Sequence, residues 1–147
     1  MAITVGDLKA YAAALACSES DETQLRSSMS RAYYAAFHAA LPLAEQLPAS
    51  VGVRNMDHIT HHELSARLSG WNVGGAEPRL ARLRKTAGAL ASAMNSSRAA
   101  RVKADYKLSV QVELAEAIAQ GQRTKQILRI LSQIENEMAR PKAPVPA

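Results

Sequence analysis

Leu80, Leu83, Ala87, Leu90 and Met94 recur at alternating spacings of three and four, which marks one apolar helix face. Pro78 suits the first position of that helix, and the stripe runs to about residue 95. Upstream, Leu25, Met29, Tyr33, Ala36, Phe37 and Ala40 form a broad apolar face at about 100° per residue. The same segment carries a second face of small residues, Ser28, Ala32, Ala35 and Ala39, which lets another helix come close. Ser30, Arg31, Tyr34 and His38 form a polar stripe between the two. A surface helix needs only one apolar face. A helix with two packing faces is predicted to be central, with its stripe turned to a cavity or a partner subunit.

The remaining elements follow from caps and breakers. Thr4 caps a first helix over about residues 5–16, with Leu8, Tyr11, Ala12 and Leu15 inward. Ser18 to Asp21 is a polar break, and Asp21 and Glu22 suit the positive end of the second helix. Pro42 has no N–H for the carbonyl of His38, so a kink is expected there before the helix runs on to Leu47. A short helix over about 58–68 ends at Gly70, after which Gly70 to Gly75 reads as a flexible loop. Residues 96–108 are expected to be an ordered connection. Ser109 then caps a long last helix with Val110, Leu114, Ala117, Gly121, Leu128, Leu131, Ile134 and Met138 on its apolar face. The prolines at 141, 144 and 146 predict a disordered tail, so 1–138 reads as one all-α domain and 139–147 as the tail.

Ser30-Arg31-Ala32-Tyr33-Tyr34-Ala35-Ala36-Phe37-His38-Ala39-Ala40 resembles the second-helix signature of the HEPN domains, which are nucleotide-binding helical bundles. Arg101-Val102-Lys103-Ala104-Asp105-Tyr106 looks like the Arg-x-x-Ala-Asp-Tyr element of one small prokaryotic branch. The resemblance implies an antiparallel bundle of about five helices and a nucleotide or RNA ligand. It also implies a homodimer, or a protein partner such as a nucleotidyltransferase, in a toxin–antitoxin or phage-defence setting.

Charge sharpens that picture. The chain of 147 residues carries a net +5. Between Arg79 and Lys107 lie eight basic residues and a single acid, Asp105, so this segment alone holds +7. A polyanion partner accounts for such a split, while a solvated face with long stems covering apolar surface is the plainer account. Arg79, Arg82, Lys85, Arg98, Arg101, Lys103 and Tyr106 are the candidate contacts to RNA or nucleotide. Arg31, Tyr34 and His38 are the candidate subunit interface. Six aromatic residues are too few for a stacking platform, so any RNA binding is expected to be phosphate-driven and salt-sensitive. The longest apolar run, Tyr11 to Cys17, is far shorter than a membrane span. The first residues lack the basic start and apolar core of a signal peptide, and one cysteine cannot form an internal disulfide. A cytoplasmic location is expected. Cys17 reads as a structural thiol, since no base or metal ligand lies near it in sequence.

Many HEPN proteins are metal-independent ribonucleases, whose signature is an Arg followed after four to six residues by a His near the start of the last helix. Here Arg101 matches the Arg, but the His position holds Asp105 or Tyr106. Arg31 with His38 and Arg54 with His61 fit the spacing elsewhere, as expected by chance among twelve arginines and four histidines. Arg101, Arg31 and His38 remain the catalytic candidates, and the expected activity is none. Arg101 and Asp105 are read either as a structural pair or as part of a phosphate site. His58 and His62 would share a helix face in the manner of a zinc pair, but two ligands are too few and Glu63 lies outside them, so no metal is expected. No Gly-rich phosphate loop is present, and no cofactor is expected. Trp71 is read as a plug that pins its loop in preference to a base-stacking residue. The leading function is a non-catalytic nucleotide- or RNA-interacting protein. A ribonuclease and a non-catalytic adaptor or scaffold subunit are the alternatives.

Overall fold

The second helix is the hub of the molecule. The computed structural model describes residues 2–50, 58–71 and 78–140, with the backbone alone for 78–81. It contains α1 (Val5–Leu15), α2 (Glu22–Glu45), α3 (His61–Ser69), α4 (Pro78–Tyr106) and α5 (Leu114–Ala139), and no strand among the described residues. The protein is an all-α bundle. Helix α2 packs against each of the other four, as its two faces require. Its apolar face buries Tyr33, Ala36, Phe37 and Ala40 with Leu64 and Leu68 of α3, Leu90 and Met94 of α4, and Ile127, Leu131 and Ile134 of α5. A smaller cluster joins Leu25, Met29, Ala104, Val112 and Ala117.

The small-residue face lets backbones approach closely. Ser28 Oγ donates to the Ala12 carbonyl of α1 at 2.6 Å, and Thr124 Oγ1 of α5 donates to the Ala32 carbonyl at 2.7 Å. Gln120 Nε2 of α5 donates to the carbonyls of Ser97 at 2.9 Å and Met29 at 3.4 Å. These contacts set the register. Gln120 meets Met29 and Thr124 meets Ala32, so α2 and α5 run in the same sense, with α4 antiparallel to both.

Thr4 caps α1 as expected, and α2 starts where expected with Asp21 as its cap, each in a capping box. Helix α2 continues through Pro42 to Glu45, and Leu47 beyond it is buried. Helix α3 starts at His61, three residues later than expected. Thr60 is its cap, with Thr60 Oγ1 accepting from the Glu63 amide at 3.1 Å. His58 therefore precedes the helix and shares no helix face with His62. Glu63 is buried, and its carboxylate accepts from Arg67 Nε at 2.8 Å and the Ser50 amide at 2.9 Å, which holds its pKa at about 2. Arg67 Nη1 also donates to the Ala44 carbonyl at 3.2 Å, tying α3 to the end of α2.

Two boundaries depart from expectation. Residues 96–106 are helix, because α4 does not end where its apolar stripe ends. Ser97, Arg101 and Ala104 continue the buried row, and polar residues in such a row leave no hydrophobic period to read. The end of α4 is held from α2. Arg26 Nη1 donates to the carbonyls of Ala104 at 2.9 Å, Lys103 at 3.3 Å and Lys107 at 3.4 Å, and Nη2 donates to that of Val110. Glu22 anchors Arg26 and accepts the Val112 amide at 3.1 Å. Pinned in this way, residues 107–113 form a turn, and α5 begins at Leu114, not after Ser109. Val110 and Met138 consequently lie exposed, while Val112, Gln120, Thr124 and Ile127 take the buried places. Of the expected tail, 139–147, Ala139 still belongs to α5 and Arg140 caps it, while 141–147 and 72–75 of the glycine loop lie outside the described residues.

Candidate anion site at the junction of three helices

The polar stripe of α2, the first residue of α3 and the last turns of α4 meet on one side of the bundle. Tyr33 is fully buried, and its hydroxyl lies 3.0 Å from His61 Nδ1. The ring of His61 sits 4.5 Å from that of Phe37, 5.3 Å from Tyr33 and 5.6 Å from Tyr34, measured between centroids. His38 flanks the group, 5.4 Å from Phe37 and 6.4 Å from Tyr34. The Arg31 guanidinium lies over Tyr34 at 5.7 Å.

From α4, Arg101 enters beneath these rings. It is only 6% exposed. Its guanidinium lies 5.3 Å from the centroid of Tyr33 and 5.7 Å from that of Tyr106, which is itself 70% exposed. Asp105, one turn on, places Oδ2 3.5 Å from Arg101 Nη1 and accepts from Ser30 Oγ at 3.3 Å. Both contacts are long. The Nε atoms of Arg98 and Arg101 are buried without a hydrogen-bond partner. An unsatisfied buried N–H is costly, and two such donors on neighbouring arginines mark a place where an acceptor is wanted.

The electrostatics agree. Burial first, then the positive charges of Arg101, Arg98 and His38, push His61 below the ordinary histidine range, so the ring favours its neutral form. Burial raises the Tyr33 hydroxyl to about 12, against the lowering pull of Arg101 and Arg98. Three guanidiniums and two imidazoles thus share this side of the bundle with the Asp105 carboxylate, which pairs with Arg101. A surplus of positive groups of this kind attracts anions. Among the described residues, no three His, Cys, Asp or Glu side chains stand together as metal ligands would.

The candidates read from the sequence divide. Arg31, Tyr34, His38, Arg98, Arg101 and Tyr106 are gathered here. Tyr34 neighbours both Arg31, at 5.7 Å, and His38, at 6.4 Å, so their seven-residue spacing does bring them to one ring. Arg82 and Lys85 are exposed, but they lie about 24 Å or more from Arg101 along α4 at 1.5 Å per residue. Lys103 is turned to α5 and paired with Glu116. The side chain of Arg79 and all of Arg54 lie outside the described residues. Trp71 packs against the main core cluster, the plug that its setting suggested. Cys17 is half-buried with its Sγ 3.3 Å from Ser20 Oγ.

Sequence reasoning missed His61 as a member, and it counted Tyr33 as plain core. No local spacing links residues 33, 61 and 101. The open cavity between α1, α2 and α5, about 220 Å³, is lined mainly by small residues such as Ala12, Ala13, Ala117 and Gly121, and is a packing gap more than a chemical site. No helix among the described residues is long and apolar enough to cross a membrane. No protein-family model, curated protein or solved structure matches the chain.

Proposed function

We propose that this protein is a HEPN-like module that binds RNA or a nucleotide through phosphate, at the α2–α3–α4 junction, without cleaving it. The observation that carries the reading is the nearly buried Arg101 with an unpaired Nε, beside Arg98 with an unpaired Nε of its own, and with Asp105 the one carboxylate paired with either among the described residues. A guanidinium is a planar fork of donors that suits phosphate oxygens. Arg31 extends the positive charge at the surface, and exposed Arg82 and Lys85 supply a track along α4 for a longer strand. Exposed Arg31 and His38, with half-buried Tyr34 between them, suit a homodimer interface or a docking place for a partner protein such as a nucleotidyltransferase. A cytoplasmic toxin–antitoxin or defence setting follows from the resemblance alone.

The test is retention of a labelled RNA oligonucleotide, measured by fluorescence anisotropy at low salt. Arg98→Glu should weaken binding of short and long strands alike. Arg82→Glu with Lys85→Glu should weaken only the longer ones, without unfolding the protein, because neither residue packs in the core. Absence of wild-type binding at low salt would return the segment to a solvated face.

A metal-independent ribonuclease is the second reading. What favours it is His61, an imidazole brought close to Arg101 from another helix. What opposes it is Asp105, which neutralises Arg101, and Tyr33, which occupies one ring nitrogen of His61. The expected result is no cleavage above background in EDTA. Fragments ending in 2′,3′-cyclic phosphate, lost in both Arg101→Ala and His61→Ala, would promote the ribonuclease.

A further inference from the structure

The pairing of Arg101 with Asp105 is looser than a committed structural ion pair. The separation is 3.5 Å, beyond the length of a charge-assisted hydrogen bond, and the carboxylate's other contact, from Ser30 Oγ, is 3.3 Å. The Asp105 side chain is 27% exposed, whereas that of Arg101 is 7% exposed. The carboxylate has room to turn outward, and the guanidinium does not. Arg101 is also steadied by the rings of Tyr33 and Tyr106, so it stays in place when its counter-ion leaves.

Resting on the phosphate-binding reading, we infer that Asp105 is a built-in competitor anion: it occupies Arg101 until a ligand phosphate displaces it, so that only a phosphate bringing more charge than the carboxylate gains by the exchange. The charge count gives the direction. An internal phosphodiester carries one negative charge, so exchanging it for the carboxylate leaves the field at Arg98 and Arg101 unchanged. A terminal phosphate carries about −1.5 to −2 at neutral pH and offers three oxygens, so the same exchange adds negative charge beside Arg98 and Arg101. The ligand class is therefore a phosphate monoester, as on the phosphorylated end of an RNA strand or on a nucleoside monophosphate. Asp105 touches the ligand's binding group and not the ligand, so it sets a threshold at Arg101 that every phosphate ligand must exceed.

The experiment compares one short RNA oligonucleotide with and without a 5′-phosphate, by anisotropy at fixed low salt. Wild type should prefer the phosphorylated form. Asp105→Asn should bind both forms more tightly, each by about tenfold, the scale of one ion pair, with the preference for the phosphorylated form unchanged. Glu135→Gln makes the same change of charge on the exposed face of α5 and should leave both affinities within about twofold. If Asp105→Asn does not fold by circular dichroism, Ser30→Ala decides instead. It removes only the hydroxyl that steadies the carboxylate and should tighten binding in the same direction by a smaller factor. Binding equal to or weaker than wild type in these variants would make Asp105 a positioning group for Arg101; it would overturn this inference and leave the phosphate-binding reading standing. Failure of wild type and of both variants to bind either form would overturn both.

Discussion

Tyr33 and His61 join two helices through a single contact between a buried hydroxyl and a ring nitrogen. The same burial and the nearby Arg101 and Arg98 hold His61 below the 6.5 of a free imidazole. The sign of the pH effect follows. In the unfolded chain the ring takes up a proton as the pH falls through 6.5, while in the folded protein it does so only at lower pH. The contribution of neutral His61 is complete above that value and is lost as pH falls from 6.5 toward the lower folded pKa. The urea midpoint should therefore fall between about pH 7 and pH 5.5, and His61→Phe should flatten that slope even if it lowers stability throughout. An unchanged slope in His61→Phe would assign the effect to another group.

At the scale of the element, α4 shows how a helix boundary is imposed from outside. Four carbonyls at and beyond its C-terminus accept from one side chain, Arg26 of α2. Arg26→Met should take this donor from the Ala104 and Val110 carbonyls, remove one of the two partners of Glu22 and cost about 2–4 kcal/mol, given that hydrogen bonds to charged groups are worth more than neutral ones. Hydrogen exchange at residues 104–112 should accelerate more than the global loss requires. Within the same helix, Gly88 is exposed and a Cβ built on it meets nothing within 4 Å. Gly88→Ala should therefore raise stability by about 0.5–1 kcal/mol, read from chemical denaturation, by removing the backbone freedom of glycine from a helix interior. The caps at Thr4 and Asp21 are legible in the sequence, since capping is local and its residues stand three apart in the chain. The end of α4 and the start of α5 are not, since Arg26 and Glu22 act across about eighty residues.

The whole molecule turns on α2, which serves the core with one face, admits α1 and α5 with another and lines the candidate anion site with its stripe. After four neighbours have packed against it, Arg31 and His38 remain exposed and Tyr34 half-buried. Under the proposed homodimer this patch is the interface. Light scattering should then give twice the chain mass at tens of micromolar, a concentration typical of transient interfaces. Tyr34→Arg should shift the population to monomer with little change in helix content. A wild-type monomer at that concentration would remove the dimer from the proposal.

The amino-acid sequence alone determined the all-α class, the central place of α2, the two N-terminal caps and the ion-pair partners Arg101 and Asp105. Each rests on residues within a few turns of one another, where helical geometry converts spacing directly into neighbourhood. Only the tertiary structure decided that Tyr33 meets His61, that Lys103 is turned to Glu116 while Arg98 and Arg101 keep unpaired donors, and that α2 and α5 run in the same sense. Those facts depend on which faces of distant helices press together. Hydrophobic periodicity says that a face is buried, but it does not say against what. Where the buried face is polar, as in the last turns of α4, periodicity falls silent at the place where the candidate site lies.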